Sequence, residues 1–330
     1  MFRAGRAMVS TMPDLRRYAW LSVAAAVVTI ALKTAAWRLT GSVGLLSDAL
    51  ESLVNLVAAV FTLTMLSYAA RPPDEDHAFG HGKAEYFASG AEGAMIFLAA
   101  VAIIWSAVGR LVTPQPLEQV GLGVLVSAAA SLVNLACARV MLSAGRRHHS
   151  IALEADGHHL MTDVWTSGGV LLGIGAVAVT GWIRLDPLVA IAVAIRILWA
   201  GWSLVQRSAL GLLDTALPPD EQARLEAVLD RYSGPETRFH AVRTRQAASR
   251  RFVYFHVLVP GAWSVDRGHR LLEAIEQDIR AVLPRASVFS HLESLDDPAS
   301  LEDQELDRPD ESAARAGESE QTRGSAGRER

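Results

Sequence analysis

Glu51-Ser-Leu-Val-Asn55 lies inside the apolar run from Val43 to Met65, and His159-Leu-Met-Thr-Asp163 stands at the head of the run from Val164 to Trp182. In each stretch two metal-capable side chains are four residues apart, so on a helix they stack on one face, one turn from each other. A carboxylate or imidazole in a membrane span is costly unless paired, hydrated or bound to an ion, and so marks an ion pathway by default. Each helix therefore offers half a site. Two facing halves supply four ligands, the number that a tetrahedral divalent metal takes.

Working outward, six stretches approach or exceed the ~20 residues that a bilayer requires. They run over about 18–39, 43–69, 85–112, 118–142, 152–181 and 186–212, separated by polar hinges at Thr40-Gly41-Ser42, Arg71 to Lys83, Thr113 to Pro116, Gly145 to Ser150 and Gly181 to Asp186. The first run follows Arg3, Arg6, Arg16 and Arg17 but is long enough to span and lacks a clear cleavage site, so it reads as a retained span. With an even number of spans both ends share a side. The arginines before the first run, Arg71 with Lys83, and Arg146 with Arg147 fall on one face, against isolated Arg38, Arg110 and Arg184 on the other. The positive-inside rule then predicts cytoplasmic termini in a cell (inner) membrane. Arg196, in the middle of the sixth run, either snorkels, pairs with an acid of the bundle or faces lipid.

Composition agrees with a membrane protein that carries a soluble part. Of 330 residues, 51% are hydrophobic, and mean hydropathy is positive at +0.23. A formal charge of -4 gives no reason to expect nucleic acid as a partner. The single Cys137 excludes an intrachain disulfide or thiolate cluster, leaving His, Asp, Glu and Asn as metal ligands. After Asp214 the chain turns polar. A helix is predicted over Glu221 to Tyr232, strands over Phe239 to Arg245 and Phe252 to Val259, a helix over Ser264 to Leu283 and a third strand over Ala286 to Leu292. The expected organisation is an N-terminal segment (1–17), an α-helical membrane domain of six spans (18–213), a small α+β domain (214–297) and a charged, disordered tail (298–330).

Three motifs in this order carry a resemblance: Ser42-Val-Gly-Leu-Leu-Ser-Asp-Ala, His77-Ala-Phe-Gly-His-Gly-Lys-Ala-Glu85 and Glu154-Ala-Asp-Gly-His-His-Leu-Met-Thr-Asp163. Over roughly residues 15–297 the chain resembles the cation diffusion facilitator family of zinc and related metal transporters. The resemblance implies a homodimer that exports divalent metal from the cytoplasm, usually in exchange for protons, with the soluble domains, βαββ-like and of ferredoxin or metallochaperone type, paired below the membrane.

By motif position, the family's intramembrane site falls on Glu51, Asn55, His159 and Asp163. The family pattern in the second span is usually Asp or His followed by Asp, and this chain departs from it with Glu followed by Asn. Asn keeps a carbonyl oxygen but no charge, so the site offers two carboxylates, one imidazole and one amide. Two negative charges still match one divalent cation, while the oxygen-rich set opens manganese, iron, cobalt or nickel beside zinc. Asp48 shares a helical face with Glu51, as a replacement charge or in a structural role, and Asp156 is one turn from His159, where it could line the mouth. His158 points elsewhere, by one hundred degrees of rotation. A histidine nitrogen holds a proton or a metal but not both, which predicts metal/proton exchange with His159 as the main group.

Asp74, His77 and His81 match the family's loop metal site, with glycines 80 and 82 allowing a sharp turn. Lys83 would pair with Asp214 by the same resemblance. In the soluble domain His240, His256, His269, His291 and Glu293 match a cytoplasmic cluster that binds two ions and bridges subunits, where the family more often has Asp at the Glu293 position. Its His-rich character favours zinc, both as substrate and as structural or regulatory ion, with no catalytic cofactor. Two other classes compete. An intramembrane metalloenzyme would need a base beside an open metal, and the spans contain no His-Glu-x-x-His. A metal-sensing scaffold that moves no metal would bind through the soluble cluster alone.

Overall fold

The computed structural model describes residues 14–40, 43–113 and 122–301. The first thirteen residues, the glycine of the first hinge, the prolines at 114 and 116 and the charged tail beyond 301 lie outside the described residues, as do the side chains of Asp48 and Glu51. The chain divides into two compact units at Thr215 and Ala216, with Ala247–Ser249 grouped in the first.

The first unit holds six long helices: α1 (Arg16–Thr40), α2 (Val43–Ala69), α3 (Ala84–Val112), α4 (Leu122–His148), α5 (Ile151–Thr180) and α6 (Leu185–Leu212). All six are long and apolar enough to cross a membrane. Their outward faces carry exposed Val27, Leu98, Trp105, Leu132, Leu172 and Trp199, the surface that lipid covers and water would not. Inward faces are small. Ala19, Ala25, Ala88, Ala138, Ala144 and Ala152 are buried together with Leu66, Met141, Leu153 and Leu160, and a second cluster gathers Ile96, Ala100, Ala155, Ile197 and Leu204. Small side chains let backbones approach, which is how helices associate where lipid supplies no hydrophobic drive. At Gly201 a Cβ would stand 2.7 Å from Phe97 N, so α3 and α6 pack backbone to backbone there.

The fourth helix continues through Gly145, where sequence alone places a hinge, and ends at His148. A Cβ on Gly145 would lie 2.8 Å from the Glu154 backbone nitrogen, so this glycine serves close packing of α4 against α5 rather than a bend. The turn falls instead at His149, with φ of 54°, and Ser150, whose Oγ caps α5 by accepting from Leu153 N.

The second unit follows the order α7 (Pro219–Tyr232), β1 (Arg238–Ala247), β2 (Arg250–Val259), α8 (Val265–Val282) and β3 (Ala286–Ser294). Its sheet runs β1-β2-β3, with β2 and β3 parallel and His256 opposite His291 in the register. Strand alternation divides the sheet's residues. Val253, Phe255, Val257 and Val259 of β2 pack with Leu225 and Val228 of α7 and Ile275 and Ile279 of α8 to form the core. Alternate residues, His256 among them, face away from the helices.

Candidate metal centres

Three helices of the first unit meet at the pair of residues singled out on α5. Asn55 of α2 donates through Nδ2 to Asp163 Oδ2 at 2.8 Å, and its Oδ1 lies 3.0 Å from His159 Nε2. An amide oxygen only accepts, so in this arrangement His159 carries its hydrogen on Nε2. Asn55, His159 and Asp163 are each half-buried. The fourth sequence candidate, Glu51, sits one turn before Asn55 on α2, with its side chain outside the described residues.

A fourth polar group comes from a helix that sequence reasoning passed over. Asn134 of α4 donates through Nδ2 to the same Asp163 Oδ2 at 2.9 Å, while its Oδ1 is shielded and has no hydrogen-bond partner among the described residues. Asp163 thus accepts two amide hydrogens on one oxygen. Chemically this is a carboxylate satisfied by two amide N–H groups, with one amide oxygen and one imidazole nitrogen in contact beside it. The signal for Asn134 was present in principle, as an amide isolated in an apolar run, but no motif or helical partner marks it.

Asp156, expected near a mouth, is instead 2% exposed and accepts from Ser22 Oγ of α1 at 2.9 Å. It belongs to the interior of the bundle because Ala155 and Gly157 on either side pack against neighbouring helices. Arg196 is exposed on the surface of its unit.

The loop before α3 is compact rather than helical. Asp74 Oδ1 accepts from the His77 backbone nitrogen at 2.7 Å and lies 2.9 Å from His77 Nδ1, and Asp74 Oδ2 is 3.2 Å from His81 Nε2. Gly80, with φ of 83°, makes the turn that brings the two rings to 4.4 Å. Ligand atoms of Asp74, His77 and His81 all fall within 4.8 Å of one another. Desolvation is the largest single influence and works against it, but hydrogen bonds from His77 and the two imidazoles together hold the Asp74 carboxyl below its usual range. Beyond the loop, Lys83 Nζ is 2.9 Å from Asp214 Oδ1 and donates to the Leu212 carbonyl, tying the start of α3 to the end of α6.

In the second unit Glu293 of β3 is the centre of a histidine cluster. Its Oε2 is 2.7 Å from His240 Nε2, and its Oε1 is 3.0 Å from His256 Nδ1 and 3.5 Å from His291 Nε2. These side chains share the sheet face left open by the helices. His269 does not join them: it is an exposed residue of α8, which covers the opposite, apolar face of the sheet. Within one subunit His269 therefore stands apart from the other four, because helix and cluster lie on opposite sides of the sheet. No sequence period could have revealed this, since it depends on which face α8 covers.

Both units match known family domains. Residues 19–213 match the cation efflux transmembrane domain and residues 217–295 the cation efflux protein cytoplasmic domain. The chain is 50% identical over 285 residues to the uncharacterized transporter sll1263 of Synechocystis sp., covering 86% of this chain and 92% of that one. It is 32% identical over 285 residues to the cation-efflux pump FieF of Klebsiella pneumoniae, covering 86% and 93%. Among solved structures, the metal-bound C-terminal domain of the CzcD transporter from Thermotoga maritima is 27% identical over 24% of this chain and 92% of that one, with a TM-score of 0.22. Six apolar helices ahead of a small three-stranded domain, matched by both family domains along the same lengths, make this chain a cation efflux transporter of the cation diffusion facilitator family.

Proposed function

We propose that the chain exports divalent metal, zinc first, through the Asn55–His159–Asp163 centre in exchange for protons, as a homodimer with both termini in the cytoplasm. The observation that carries this reading is the convergence of Asn55, Asn134 and His159 on or beside Asp163 within a bundle of membrane-length helices. Glu51, one turn from Asn55, is the proposed fourth ligand. His159 is the exchanging group: its imidazolium form gives up a ring proton when metal binds that nitrogen, so loading releases a proton and reprotonation expels the metal. Asp74, His77 and His81 form a peripheral site, and His240, His256, His291 and Glu293 a cytoplasmic one, whose imidazoles favour zinc.

A second reading has specific support. Asn55 Oδ1 lies beside His159 Nε2, and an amide oxygen added to the carboxylates makes the membrane site harder than a tetrahedral zinc site, which favours manganese, iron, cobalt or nickel as substrate. Uptake of all five metals into proteoliposomes with an internal pH indicator separates the readings. Zinc-selective uptake with proton counterflow is expected, preference for another metal selects the second reading, and binding without uptake would leave only a sensing scaffold.

A further inference from the structure

Besides the centre at Asp163, the helix bundle encloses two more carboxyls. Glu92 of α3 is fully buried, and Asp156 of α5 is 2% exposed. Each is engaged on one oxygen by a hydroxyl from another helix: Thr62 Oγ1 of α2 donates to Glu92 Oε1 at 2.5 Å, and Ser22 Oγ of α1 to Asp156 Oδ1 at 2.9 Å. The remaining oxygens, Glu92 Oε2 and Asp156 Oδ2, are shielded and have no hydrogen-bond partner among the described residues. The two carboxyls act on each other electrostatically.

Among the described residues neither one faces a cation. From α4 the Cys137 thiol lies beside Asp156, and from α5 His159 acts on it one turn away. From the described side chains of α1 and α2 come the two hydroxyls; Lys33 of α1 is three turns, about 16 Å, beyond Ser22 along the helix. From α6, Arg207 pairs with Glu154 at 3.0 Å, and Arg196 is exposed. Two ionised carboxylates in such a place would each lose their hydration and repel one another. A proton held by the pair removes one charge and provides the donor that the bare oxygens lack.

We propose that Glu92 and Asp156 together form a proton-binding site, distinct from the metal ligands, that carries part of the proton counterflow. This rests on the exchange reading above. The placement supports a link to the metal centre. Thr62 is seven residues after Asn55 on α2, and Asp156 seven before Asp163 on α5, two turns or about 10 Å in each helix. Consecutive spans alternate in direction, so both steps lead toward the face that bears the Asp74 loop and Ser150. A shift of α2 against α5 that alters the metal centre therefore also alters the carboxyl layer.

The test uses the full chain in proteoliposomes with zinc as probe. In wild type, difference infrared spectroscopy is expected to show a protonated-carboxyl C=O band that shifts in D2O, is lost in Glu92→Gln and moves in Thr62→Val, which keeps both carboxyls. Proton counterflow per zinc is expected to fall by half or more in Glu92→Gln and Asp156→Asn. Absence of the band from wild type, or wild-type counterflow in both variants, would overturn the site. So would loss of zinc binding in step with counterflow, since the pair would then only support the metal centre. A wild type that moves zinc without counterflow refutes the exchange reading itself, which tells the two failures apart.

Discussion

Replacing Asn55 by Asp exchanges a hydrogen-bond donor for a like charge at the centre of the metal site. Asn55 Nδ2 lies 2.8 Å from Asp163 Oδ2, so the substitution sets one carboxylate oxygen against another where an N–H···O bond stood. At that separation and an effective dielectric near 20, repulsion between unit charges is about 6 kcal/mol; rotation apart to ~6 Å leaves about 3 kcal/mol. A divalent cation between the two groups, or a proton on one of them, relieves this. Zinc affinity of the purified protein should therefore rise about 100-fold at high pH, where protons do not compete, at roughly 1.4 kcal/mol per tenfold. The gain should shrink as pH falls, with about one extra proton released per zinc bound. Competition against a chromophoric chelator across a pH series, with calorimetry in buffers of different ionisation heat, measures both quantities. Unchanged affinity together with unchanged proton release in Asn55→Asp would show that Asn55 does not face the bound ion, and the reasoning would fail.

Three further outcomes follow from the geometry. Gly145→Ala brings a Cβ to 2.7 Å from Glu154 Cγ and 2.8 Å from Glu154 N, so the α4–α5 hairpin must open at a cost of about 1–3 kcal/mol, visible as a lower melting temperature of the detergent-solubilised protein. Glu221→Gln strips the charge that faces Arg251 at 2.6 Å, both residues being less than one-tenth exposed. Breaking such a pair from one side costs about 3–5 kcal/mol, whereas replacing both partners with Leu and Met should cost much less, and a double-mutant thermal series distinguishes the two. Glu293→Ala removes the carboxylate shared by His240, His256 and His291, so zinc bound per subunit, read by elemental analysis after dialysis, should drop by at least one ion while the Asp74 loop keeps its own.

The order of elements in the soluble unit also bears on how it is stabilised. Its core is one layer of two helices against one face of three strands, small enough that a metal bound on the open face adds stability by mass action. Metal removal should thus lower the melting temperature of this unit more than that of the helical one.

Much of this protein was fixed by its one-dimensional pattern. Apolar runs of membrane length set the six helices, because in lipid every backbone group must be satisfied within the segment. Alternation of Val, Phe and Tyr set the strands, and i,i+4 spacing put His159 and Asp163 on one helical face. Short-range geometry made these legible. The loop cluster was legible too, since Asp74, His77 and His81 are close in the chain and Gly80, with its positive φ, turns it between them. What tertiary structure decided were meetings between elements distant in the chain. Asn134 reached Asp163 across α4 and α5, and Glu92 reached Thr62 across α2 and α3. His269 was parted from Glu293 by the side of the sheet on which α8 packs. Gly145, which resembles a hinge in sequence, became a contact because a backbone 2.8 Å from its missing Cβ allows no side chain. Periodicity states which face of an element a residue occupies, and only packing determines what that face meets.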